Sequence, residues 1–136
     1  MGRILAVDPG ARRVGLAVTD PLQLIASPWL SIEFTDRRKL VERLLELIRQ
    51  QEAELVVVGL PIREDGSEGK GCRWARRLAR LLARSGVRVE LWDERYSSRE
   101  AEEALRRMGL NRKKALARID PVAAAVILQD YLSSRR

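Results

Sequence analysis

The chain has 136 residues and a formal net charge of +7, a length that suits one domain able to bury roughly two-thirds of the surface its unfolded chain exposes. It contains no histidine and one cysteine, Cys72, which excludes Ser-His and Cys-His nucleophiles, histidine-bound zinc, thiolate cages and an intramolecular disulfide. So basic a chain, with a pI of about 10.5, is biased toward polyanions, nucleic acid above all.

Residues 4–8 and 14–19 read as two strands joined by PGARR, with Pro9-Gly10 as the turn signal. A third strand through residues 24–34 is interrupted by Pro28. Thr35 or Asp36 caps a helix reaching about Gln51, with Leu40, Val41, Leu44, Leu45, Leu47 and Ile48 at helical spacing. Residues 55–58 are wholly apolar, as in a buried central strand. IREDGSEGKG is polar, carries three glycines and reads as a mobile loop. It is not a P-loop, because Glu64 stands where the first glycine belongs and Gly71 replaces the hydroxyl.

Residues 72–85 form an amphipathic helix. Ala75, Leu78, Ala79 and Leu82 lie on its inner side, and Arg73, Arg76, Arg77, Arg80 and Arg84 load the rest. Gly86 fits the residue just past its end. VRVELWDE alternates as a strand does, and Ser97 with Glu100 makes a capping box for a helix over about 99–108, closed by Gly109. NRKKALAR is a basic connection. Asp120-Pro121 then opens a final helix to about residue 132. With no repeat or linker, one domain is expected over residues 1–136. The element order predicts an α/β sheet with an antiparallel hairpin of the first strands at one side and helices on both faces.

Three acidic positions fall at element ends, where open α/β sheets place function: Asp8, the pair Asp93 and Glu94, and Asp120. Each also has a plain structural account. Asp8 can bond its own turn, Glu94 can pair with an arginine, and Asp120 can be no more than an N-cap. Were the three to converge, their repulsion would call for a cation. Oxygen donors suit Mg²⁺ or Mn²⁺, which can clamp a phosphodiester and activate water. Successive strand residues face opposite ways, so only one of Asp93 and Glu94 can point at Asp8, and parity leaves open which. Gly10 and Gly15 allow a close approach of backbone to a phosphate, although turn geometry alone would justify Gly10.

AVDPGARRVGLAVTD, VVVGLPIREDGSEGKG, LWDERYSSREAEEAL and RIDPVAAAVILQDYL resemble, in order and spacing, the four motif blocks of the YqgF/RuvX family across essentially the whole chain. The resemblance implies a bacterial, cytoplasmic protein with an RNase H-like fold, related to RuvC-type Holliday-junction resolvases. It also implies a nuclease role in ribosome biogenesis, processing the 5′ end of pre-16S rRNA. Carried over by position, it implies Asp8, Glu94 and Asp120 as the catalytic, metal-binding set, choosing Glu94 over Asp93. Pro9, Ala11 and Arg12 occupy places that vary in the family, and Ser97 and Ser98 keep hydroxyls where threonines are common. Ala123 and Ala124 stand where related resolvases often carry a further carboxylate.

The expectation is therefore a Mg²⁺- or Mn²⁺-dependent nuclease acting on structured RNA. Gly10, Arg12, Arg13, Lys70, Arg95 and Ser97 are its expected substrate contacts. Branched DNA is the alternative substrate, and a non-catalytic nucleic-acid or ribosome-binding module the alternative role. No apolar run approaches the ~18 residues of a membrane span, and the short charged N-terminus lacks a signal-peptide core. A cytoplasmic location is expected. The oligomeric state has no signature in the sequence.

Overall fold

A computed structural model describes residues 2–95, 99–109, 111 and 121–135, without the side chains of residues 100 and 101. Strands β1 (Arg3–Pro9), β2 (Arg13–Thr19), β3 (Ala26–Glu33), β4 (Ala53–Leu60) and β5 (Val89–Asp93) form one sheet in the order β3-β2-β1-β4-β5. The first three are antiparallel neighbours, while β4 joins β1 and β5 joins β4 in parallel. The described helices are α1 (Arg37–Gln50), α2 (Lys70–Arg84), α3 (Arg99–Arg107) and α4 (Pro121–Ser134). Both the expected hairpin and the helices on both faces are present.

The two central strands explain the longest apolar runs. Ile4 to Val7 and Val56 to Val58 are at most 2% exposed, because a strand covered on both sides needs apolar residues at every position. Alternate residues serve different cores. Leu5, Val7, Val14, Leu16, Val56 and Val58 face α1 and α2, whereas Ile4, Ala6, Ala17, Leu55 and Val57 face α4. On the first face Leu78 and Leu82 of α2 are fully buried, each contributing about 1.5–3 kcal/mol relative to exposure.

Asp36, rather than Thr35, caps α1, accepting from the Arg38 and Lys39 amides at 2.9 and 3.3 Å. Gly86 follows α2 with φ +89°, a left-handed turn that glycine adopts without steric cost. β3 begins later than its apolar residues suggest. The Asp20 carboxylate accepts from the amides of Leu22, Leu24 and Ile25 at 3.1, 2.9 and 2.7 Å, holding these exposed residues outside the ladder. Pro28 is tolerated because β3 is an edge strand. The register slips there, pairing Leu16 with Leu30 and Ala17 with Pro28, so that Trp29 is the extra residue of a bulge.

α2 starts at Lys70, two residues before its periodic pattern. The loop ahead of it carries its own hydrogen bonds: Arg63 N donates to Ser67 O at 3.0 Å, and Ser67 donates twice to Asp65 Oδ1. The expected capping box at Ser97, the N-cap Asp120 and the basic connection beyond Asn111 lie outside the described residues. Among the described residues no helix is long and apolar enough to cross a membrane.

Candidate active site

Asp8 lies one residue before the end of β1 and is 5% exposed. By strand parity it shares a face with Ile4 and Ala6, toward α4. Its direct partner on β2 is Gly15. On the other side β4 runs in register with β1 up to Val7 and Val58, which brings Gly59 next to it. A charge at the end of a buried strand is thus flanked by two residues without side chains.

Glu94 follows β5 and extends its pairing by one residue, donating its amide to Leu60 O at 3.2 Å. Trp92 packs edge-on against Tyr131 of α4 with ring centroids 5.5 Å apart, so residues of its parity face α4 and Glu94 falls on the side of Asp8. Asp93 faces the other way and is taken up by Arg95. It accepts from the Arg95 amide at 2.8 Å, and Arg95 Nη2 reaches its Oδ2 at 2.8 Å. That guanidinium holds the Asp93 carboxyl below its ordinary pKa, against the opposing effect of partial burial. A methyl group at Gly59 would stand 2.6 Å from Ile127 Cδ1 and 3.2 Å from Glu94 Oε2. The absent side chain keeps room between β1 and β5 for the glutamate.

Asp8 and Glu94 line one cleft of about 500 Å³ together with Gly10, Arg37, Lys70 and Trp74, among others. Trp74 Nε1 donates to Gly10 O at 2.9 Å, fastening the β1–β2 turn to α2. The Arg37 guanidinium lies 4.3 Å from the Trp74 ring centroid, a cation–π contact that fixes a positive charge at the rim. Lys70 is the first residue of α2, and Gly69 before it makes no side-chain cap. The positive end of a helix therefore adjoins the carboxylates.

Of the other expected contacts, Gly10 and Lys70 line this cleft. Arg12 and Arg13 line an adjoining groove of about 870 Å³ with Phe34, Thr35 and Arg37, so Arg37 belongs to both. Arg95 is committed to Asp93 and also touches Arg63 O at 3.4 Å. Asp120 and Ser97 lie outside the described residues. Ala123 and Ala124 are fully buried and offer no donor. Among the described residues no three acidic, histidine or cysteine side chains gather as a metal set. Asp8 and Glu94 are two hard oxygen donors on one cleft, which fits Mg²⁺ or Mn²⁺ in kind.

Three residues escaped the sequence reading. Gly59 had a signal, since glycine inside an apolar strand marks a close approach. Trp74 and Arg37 had none, because the one depends on α2 meeting the β1–β2 turn and the other on α1 lying beside α2.

The chain is similar to known proteins over nearly its whole length. The family model RuvX, described as Holliday junction resolvase, matches residues 2–134. A relative from Anaeromyxobacter sp. (strain Fw109-5), named "Putative pre-16S rRNA nuclease", is 42% identical, the match covering 98% of each chain. One of the same name from Chloroflexus aurantiacus (strain J-10-fl) is 40% identical, with 98% of this chain and 88% of the relative covered. Among solved structures, Thermus thermophilus RuvC matches with a TM-score of 0.62 at 19% identity, covering 98% of this chain and 95% of that one. The same resolvase in complex with a Holliday junction substrate matches at 0.60 and 16%, with 99% and 96% covered. The structural likeness shows the RNase H-like fold. The family match and the relatives at 40% identity or more show that the chain belongs to the RuvX family of nucleases, hydrolases that act on phosphodiester bonds.

Proposed function

We propose that this chain is a divalent-metal-dependent nuclease that cuts structured RNA at the 5′ end of pre-16S rRNA, acting as one domain in the cytoplasm. The observation that carries the reading is the convergence of Asp8 and Glu94 on one cleft, spaced by Gly59 and rimmed by Lys70 and Arg37. The names of the relatives supply the substrate.

Asp8, Glu94 and Asp120 would hold the cation. A bound Mg²⁺ or Mn²⁺ supplies Lewis acidity toward the phosphodiester and a water that is nucleophilic near neutral pH. Asp8, held on a buried strand end, sets the position of the group with little freedom to move. Glu94 approaches from β5 and closes the same space. Lys70, Arg37, Arg12 and Arg13 neutralise phosphates on either side of the cut, and Gly10 lets the backbone of the RNA come close to the β1–β2 turn. Arg95 reaches a phosphate by exchanging Asp93 for it, and Ser97 supplies a hydroxyl.

The test is cleavage of a pre-16S rRNA 5′-end fragment by the wild type, by Asp8→Asn and by Glu94→Gln, each with Mn²⁺ and with chelator. Activity should fall on the order of a hundredfold or more in both variants and vanish with chelator in the wild type. Equal cleavage in all samples overturns the reading. Branched DNA is the second substrate to assay, since the family description names that activity. Cleavage of a four-way junction in preference to the rRNA fragment would move the assignment there.

A further inference from the structure

α2 carries six basic residues and no acidic one between Lys70 and Arg84. At 3.6 residues per turn, Lys70, Arg73, Arg77, Arg80 and Arg84 fall on a single stripe, opposite the buried Ala75, Leu78 and Leu82. The four arginines are exposed. Among the described residues none of the four forms an ion pair, and the nearby Arg76, engaged with Glu68 at 2.7 Å, lies outside the stripe. The neighbouring helix α1 differs. It interleaves Glu42 and Glu46 with its cations and pairs them with Arg38 and Arg43 at 3.9 and 3.3 Å.

An amphipathic helix needs a polar outer face but not one of a single sign, and four exposed arginines that form no ion pair among the described residues repel one another along the stripe. A polyanion relieves that repulsion. The stripe spans about 21 Å at 1.5 Å per residue. Its first member, Lys70, already lines the cleft with Asp8 and Glu94.

We propose that the Lys70–Arg73–Arg77–Arg80–Arg84 stripe is a track for the phosphodiester backbone of one RNA flank, leading it away from the cleft along the outside of α2. The inference rests on the nuclease reading for the direction in which the strand enters. Its consequence concerns binding. The flank is held through phosphates without reading bases, so it contributes affinity and register irrespective of sequence.

The experiment measures affinity for a labelled, single-stranded pre-16S rRNA 5′-end fragment against salt, in chelator so that cutting plays no part. The variant Arg77→Gln/Arg80→Gln/Arg84→Gln should flatten the slope of log K against log salt by about two units, each lost single-strand contact being worth about 0.7. Arg38→Gln/Arg43→Gln/Arg49→Gln removes the same charge from exposed positions of α1 and should change the slope by less than one unit. Equal losses in the two variants, or none in the first, overturn the track. Matching thermal melts confirm that both fold. If the slopes separate while the wild type fails to cut with Mn²⁺, the nuclease reading falls and the track stands.

Discussion

Helices α2 and α4 cover opposite faces of the same sheet by different means. α2 buries one stripe, with Cys72, Ala75, Leu78 and Leu82 fully buried, and turns arginines outward. α4 is buried at every residue from Ala123 to Ser133. It lies between the sheet and α3, with Val126 against Leu105 on its far side. Its inner side sets Ala124 and Ala125 near Ala6, Ala17 and Ala26, small residues that let helix and strands approach closely. The difference divides the labour. Among the described residues α4 exposes no charged side chain between Ala123 and Ser133 and acts through fit, Ile127 sitting where a side chain on Gly59 would go. The α2 face supplies the cations.

One substitution made twice gives the sharpest contrast. Ala124→Leu adds three carbons to a fully buried seam and should destabilise the fold by about 1–3 kcal/mol, as overpacking does. Ala83→Leu puts the same group on an exposed position of α2 and should stay within about 0.5 kcal/mol. Urea midpoints at constant m-value read both. Equal shifts would mean that α4 is no more tightly confined than α2.

Trp74→Phe probes how α2 is fastened to the site. Phenylalanine fills most of the volume but donates nothing, leaving the buried Gly10 carbonyl without the indole and weakening the platform under Arg37. A loss of about 1–2 kcal/mol is expected from the hydrogen bond and the cation–π contact together. It should be joined by a rise in KM for RNA, because the β1–β2 turn and Arg37 both border the cleft. Unchanged stability would show that the turn holds without this anchor.

How much of this was legible follows the same division. Period-3.6 patterns announced α1 and α2, whose polar sides face water. The fully apolar run over 55–58 announced β4. Pro28 interrupted the third strand on paper, yet an edge position and a bulge accommodate it. Leu24 and Ile25 resembled strand residues, but Asp20 captures their amides. At the site, Asp8 and the choice between Asp93 and Glu94 were visible as candidates. The choice turned on which β5 face meets α4, and no local pattern contains that. Arg37 could not be seen at all, since nothing in the sequence says that a cation on α1 will stack on a tryptophan of α2.

The smallest effect tests the orientation of the β5 end. Asp93 titrates below its ordinary value because Arg95 donates to it. The sign follows from linkage. A carboxyl whose native pKa is depressed stabilises the fold above its unfolded pKa of about 3.9, and that contribution is lost as pH falls through the native value. With side chains 36% and 40% exposed, the pair is screened by solvent and its contribution is small. Arg95→Gln should therefore lower stability by a small, constant amount at neutral pH, and the gap to wild type should close in acid, below the native pKa of Asp93. A gap that persists at low pH would show that Arg95 acts through Arg63 and the loop rather than through Asp93. A gap that closes ties Asp93 to the α2 side of the sheet and leaves Glu94 as the β5 carboxylate at the cleft.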